Sequence, residues 1–79
     1  MRYRVLYFAA LRDTAGCDSE VVGSASRDAR ALYEELRSRH GFALQAERLR
    51  VAVNGEFADW SRALADDDEV AFLPPVSGG

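Results

Sequence analysis

The 79-residue chain has room for one domain and one core, and a composition of 48% hydrophobic and 29% charged residues is that of a globular protein. A net charge of −3 and a pI of about 5.0 argue against a nucleic-acid binder, which would normally show a basic face, so no nucleic-acid partner is expected. No apolar run approaches the ~20 residues that span a bilayer, Met1-Arg2-Tyr3-Arg4 opens no signal peptide, and the single Cys17 permits no internal disulfide; a reducing, cytoplasmic location without a membrane partner is the expectation.

Residues Arg2 to Phe8, rich in aromatic and β-branched types, predict a first strand. Tyr3, Val5 and Tyr7 alternate with Arg2, Arg4, Leu6 and Phe8, and the two arginines mark the second set as outward. Leu6 and Phe8 therefore fall on the solvent side of the sheet. Leu11 to Gly16 reads as a connection with Asp13 and Gly16 as turn residues, and Ser19 to Val22 as a second strand that completes a hairpin. Cys17 lies in a polar loop with no histidine nearby in sequence and reads as a bystander thiol.

Ser26 to His40 predicts the main helix, because Ala29, Leu32, Tyr33 and Leu36 form one apolar stripe. Ser26 suits the N-cap and Asp28 the first turn, while Arg37, Arg39 and His40 suit the negative end of the helix dipole. Gly41 suits the left-handed residue that ends it. His40, the only histidine, has no partner close by in sequence and reads as a helix-end cation or a neutral surface residue.

Arg48 to Val53 predicts a third strand with Leu49, Val51 and Val53 inward and Arg50 and Ala52 outward. Asn54-Gly55 is a tight-turn signal, and Glu56-Phe57 begins the return strand. Trp60 and Leu64 are core or edge residues of the next stretch. Asp66-Asp67-Asp68 lacks the alternating ligands and glycine of a calcium loop and reads as a solvated turn, with no metal expected. Glu69 to Leu73 predicts the last strand, with Val70 and Phe72 inward and Ala71 and Leu73 outward. Pro74-Pro75 cannot donate to a ladder and hold the chain extended.

One helix with one apolar stripe covers one face of a mixed sheet. The expected fold is α+β, a β-grasp of four to five strands wrapped on one main helix, its first and last strands parallel and adjacent. Leu6, Phe8 and Leu73, with Ala71, would then form an apolar patch at the base of a flexible tail, residues 74–79 of a single domain 1–79. The tail ends Gly78-Gly79, two residues without side chains that would carry a carboxylate on a thin stalk. The expected chemistry is done to that terminus and not by a side chain. All ten basic residues are arginines, so no lysine amine on this chain can accept an acyl group from its own tail.

Val5-Leu6-Tyr7-Phe8-Ala9-Ala10-Leu11-Arg12-Asp13, Ala52-Val53-Asn54 and the run from Asp68-Glu69-Val70 through Pro74-Pro75-Val76-Ser77-Gly78-Gly79 resemble the small subunit of molybdopterin synthase, the MoaD type of ubiquitin-like sulfur carrier, over essentially the whole chain. Ser77 stands where many members have threonine, and Leu73 where an aromatic residue is common. The resemblance implies that a ubiquitin-activating-like adenylyltransferase uses ATP to adenylate Gly79. Sulfur from a persulfide then leaves a thiocarboxylate, which donates to cyclic pyranopterin phosphate within the large synthase subunit. It implies a non-catalytic sulfur-donor subunit with no bound cofactor. The reactive end would be Gly78 and Gly79, and the partner contacts Leu6, Phe8, Arg12, Leu73, Pro74, Pro75, Val76 and Ser77. The same tail chemistry would serve a carrier for thiamine, cysteine or tRNA thiolation, or a ubiquitin-like protein modifier; an inert binding module of the same fold is a further alternative.

Overall fold

Alternation puts Tyr3, Val5 and Tyr7 of β1 (Arg2–Tyr7) on a buried face and Arg2, Arg4 and Leu6 on the other. In the computed structural model, which describes residues 1–75, β1 is followed by α1 (Ala10–Ala15), β2 (Ser19–Gly23) and α2 (Ala29–His40). A short 3-10 turn (Ala46–Arg48) leads into β3 (Arg50–Val53), β4 (Glu56–Ala58) and β5 (Glu69–Leu73). The sheet order is β2-β1-β5-β3-β4. β1 and β5 are parallel, and the other neighbours are antiparallel. This is the expected α+β β-grasp. Among the described residues no helix is long and apolar enough to cross a membrane.

The predicted stripe of α2 is wholly buried: Ala29, Leu32, Tyr33 and Leu36 pack on the inner face of the sheet. Tyr33 is the hub of an aromatic group, with ring centroids 5.1 Å from Phe72 and 5.7 Å from Trp60, and Trp60 stacks on Phe72 at 6.0 Å. Trp60 is partly buried against the core and Leu64 lies inside it.

Three departures from the sequence expectation exceed one residue. The helix begins at Ala29, not Ser26, because Asp28 is the N-cap and its carboxylate accepts the Ala31 N–H at 2.8 Å. Ser26 instead gives its carbonyl to the Tyr3 hydroxyl and its own hydroxyl to Glu35. The third strand starts at Arg50, because Ala46–Arg48 turns tightly to bury Ala46. The segment expected as a plain connection from Leu11 to Gly16 is helical, its single apolar anchor Leu11 buried and its end set by Gly16 at φ 78°. One anchor in six residues makes too short a stripe for periodicity to reveal.

His40 is not a surface residue without partners. Its Nε2 lies 2.7 Å from Glu20 Oε2, and the Tyr7 hydroxyl donates to the same oxygen. The Tyr7 and His40 rings meet edge to face at 5.6 Å. This network ties the end of β1 to β2 and to the last turn of α2. Burial opposes ionisation of Glu20, but the hydrogen bonds from Tyr7 and His40 outweigh it and hold the carboxyl below the usual range. Burial, reinforced by the bond to Glu20, pushes the Tyr7 phenol well above its ordinary value.

A carboxyl lowered by folding stabilises the protein above its unfolded pKa, about 4.3 for glutamate, and that contribution is lost as pH falls through the folded value. Glu20→Gln is expected to lower the urea midpoint at pH 7 and to flatten its fall below about pH 4.5. Parallel pH profiles for the variant and the parent would show that Glu20 is not the responsible carboxyl.

Candidate functional site

Parallel pairing of β1 with β5 aligns Leu6 with Ala71 and Tyr7 with Phe72, so both strands finish at the same edge of the sheet. Their outward residues meet the outward residues of the flanking strands. Leu6 also pairs with Ser19, Ala71 with Ala52, and Ala52 with Phe57, which makes one row across the outer face. Leu6, Ala71 and Ala52 are half-buried, whereas Phe57 is 65% and Phe8 41% exposed. The apolar face is thus broader than the expected patch.

Leu6, Phe8 and Arg12 come together, with Tyr7, Asp18 and Ser19, around a depression of about 300 Å³. Arg12 reaches Asp18 at 3.9 Å and Asp13 at 4.0 Å, contacts of little energy at this exposure. Leu73 does not line the depression. It sits one step past Ala71 on the same face, paired with Arg50. Pro74 is half-buried and Pro75 exposed where the chain leaves the sheet. Val76, Ser77, Gly78 and Gly79, expected to carry the chemistry and to project freely, lie outside the described residues.

Phe57 and Arg50 are the residues sequence reasoning left without a role. The Arg50 guanidinium lies 4.6 Å from the centroid of the Phe57 ring, a cation–π contact worth ~0.5–1 kcal/mol at an exposed site. A signal was available, since the Asn54-Gly55 turn pairs Val53 with Glu56 and so puts Phe57 on the outward side with Ala52. Asn54 at φ 53° and Gly55 at φ 86° form that turn.

Polar groups hold the start of β5 as well. The Asn54 side chain donates to Asp68 at 2.9 Å and accepts the Glu69 N–H at 2.9 Å, and Asp68 accepts the Ala65 N–H at 2.8 Å. The Ala65 N–H, then Asn54, keeps the Asp68 carboxyl below its ordinary range. Asp66 accepts the Arg2 N–H at 2.7 Å. Two of the three aspartates of the acidic turn are therefore hydrogen-bond acceptors that fix the sheet, and among the described residues no cluster of three metal-ligating groups forms.

A family model, the ThiS family, matches residues 5–79. The chain belongs to the ThiS family. A curated relative, the molybdopterin synthase sulfur carrier subunit of Escherichia coli, is 37% identical over 96% of this chain and 98% of its own length. Among solved structures, SAMP1 from Haloferax volcanii superposes with a TM-score of 0.82 at 28% identity over the full length of both chains. The subunit 1 and 2 complex of molybdopterin-converting factor from Helicobacter pylori gives a TM-score of 0.70 at 24% identity over 100% of both chains, a likeness of fold. In this member of the ThiS family, the apolar outer face and the departing end of β5 share one edge of the sheet.

The turn that presents Phe8 is strained. Ala9 has φ 51° and ψ −125°, and the Leu11 N–H closes the turn onto the Phe8 carbonyl at 3.1 Å. These angles suit the first central residue of a type II′ turn, a position glycine favours, and cost a residue with a Cβ roughly 1–3 kcal/mol. Ala9→Gly is expected to raise stability by about 1 kcal/mol, or about 4–8 °C in Tm for a domain of this size. A lower Tm by calorimetry would show that the backbone stores no strain there.

Proposed function

We propose that this chain is the sulfur carrier subunit of a molybdopterin synthase. The near-full-length likeness to the curated E. coli carrier subunit carries the proposal. The joint position of Phe8, Leu6 and the end of β5 supports it, because a partner that covers the apolar face lies beside the point where the chain leaves the sheet at Pro74 and Pro75.

In this reading the reactive group is the carboxylate of Gly79. A terminal carboxylate has a pKa of about 3.3–3.7, so at neutral pH it is ionised and inert towards nucleophiles. An adenylyltransferase lets it attack the α-phosphorus of ATP, which expels pyrophosphate and leaves an acyl-adenylate. A persulfide sulfur attacks the acyl carbon and expels AMP. A second thiol then cleaves the resulting acyl disulfide, which leaves the thiocarboxylate. The large subunit takes up the loaded tail, and the sulfur passes to cyclic pyranopterin phosphate. This chain supplies sulfur and a docking surface, while the reacting side chains belong to its partners. Gly78 and Gly79 suit a narrow channel because neither brings a Cβ or rotamer entropy, up to ~2 kcal/mol for a long side chain.

The SAMP1 likeness favours one second reading, a protein modifier whose activated tail is captured by a target amine. The two readings separate by product. Incubation with an activating enzyme, ATP and a sulfide source is expected to give the intact-mass gain of sulfur-for-oxygen exchange in the parent and none after deletion of Gly79. Covalent high-mass conjugates in cells without that gain would favour the modifier.

Docking makes a separate demand. Phe8→Asp is expected to weaken association with the large subunit at least about tenfold while leaving Tm nearly unchanged, because an exposed apolar anchor contributes mainly in the complex. Equal affinity in a titration would remove Phe8 from the interface.

A further inference from the structure

The chain is acidic overall, at net −3, yet the outward positions of its sheet carry Arg2, Arg4 and Arg50 against Glu69 alone. Arg50 is the one of the three that borders the apolar row, paired with Leu73 one step along from Ala52, its guanidinium over the Phe57 ring. Among the described residues it makes no ion pair. Any protein surface that covers Phe57 must therefore also cover this cation.

We infer that Arg50, stacked on Phe57, is a specificity-determining residue that selects a large synthase subunit presenting a carboxylate at the rim of an apolar pocket. The inference rests on the function proposed above and adds the chemistry of the partner's surface. A guanidinium withdrawn from water without a counter-charge is strongly unfavourable, and this chain offers no acid within ion-pair distance among its described residues, so the partner must bring one. A guanidinium held over a ring face keeps N–H groups free for a bidentate carboxylate. Stacking also immobilises the side chain before binding, so less rotamer freedom is lost when the contact forms. A surface with the right apolar shape but no acid would be rejected, which gives discrimination between partners that share the pocket.

The test is a titration of the full chain against its cognate large subunit at low and high salt, with Arg50→Gln, Arg50→Lys and Phe57→Leu as variants. Arg50 is exposed, so all are expected to fold, with Tm as the check. Arg50→Gln is expected to weaken binding at least about tenfold and to reduce its salt dependence. Arg50→Lys keeps the charge but loses the fork and the stack, and is expected to fall between parent and Gln. Phe57→Leu is expected to retain the salt dependence of the parent. Binding of Arg50→Gln within about twofold of the parent, or parent binding indifferent to salt, overturns this inference and leaves the proposed function standing. Failure of the parent itself to bind the large subunit overturns both.

Discussion

The parallel contact between β1 and β5 is the constraint from which the rest of the architecture follows. Two strands near opposite ends of the chain can lie side by side and point the same way only if everything between them makes the crossover. β2 and α2 leave from β1, β3 and β4 return to β5, and α2 crosses the inner face on the way. Both central strands are then flanked on each side, and their inward residues, Tyr3, Val5 and Tyr7 against Val70 and Phe72, are wholly inside. A small domain with one core concentrates its stability there, since it buries only roughly 60–65% of its unfolded surface. Truncating Phe72 would remove ~3–5 kcal/mol from a total of about 5–15.

The same pairing creates the edge at which the proposed docking residues meet. Parallel register brings the last residues of both strands to one side, so the exposed Phe8 and the departing Leu73-Pro74-Pro75 segment are neighbours by construction. Two polar groupings fix the ends of this arrangement. Tyr7, Glu20 and His40 hold the exit of β1 against β2 and α2. Asn54 and Asp68 hold the entry of β5 against the β3–β4 turn. Each acts on geometry, by limiting how far the central strands can shift relative to their neighbours. The strained Ala9 follows the exit of β1, where the chain must turn sharply to present Phe8 outward and bury Leu11.

Electrostatics divide the molecule. The exposed side of α2 carries short-range pairs of Glu34 with Arg37 and Glu35 with Arg39, which keep that surface solvated. Among the described residues, the outer face of the sheet has arginines without such partners around an apolar row. A face that is apolar and cationic on an acidic protein favours acidic, apolar partners over nonspecific association.

Much of the fold was legible in the sequence, because alternation and the α2 stripe are local patterns enforced by burial. The strand faces, the helix and the Asn54-Gly55 hairpin all follow from period and chain order. The double glycine after Pro74-Pro75 and the run that precedes it also carried the resemblance that the family match bears out. What the sequence could not determine depends on contacts between residues far apart in the chain. Asp28 rather than Ser26 caps α2 because Ser26 is drawn to Tyr3 and Glu35. His40 finds Glu20 across an interface that no spacing announces. Phe57 meets Arg50 only once β3 and β4 pair. Local periodicity specifies which side of each element is buried; only the assembled sheet decides which outward residues become neighbours, because that requires register between strands and not pattern within one.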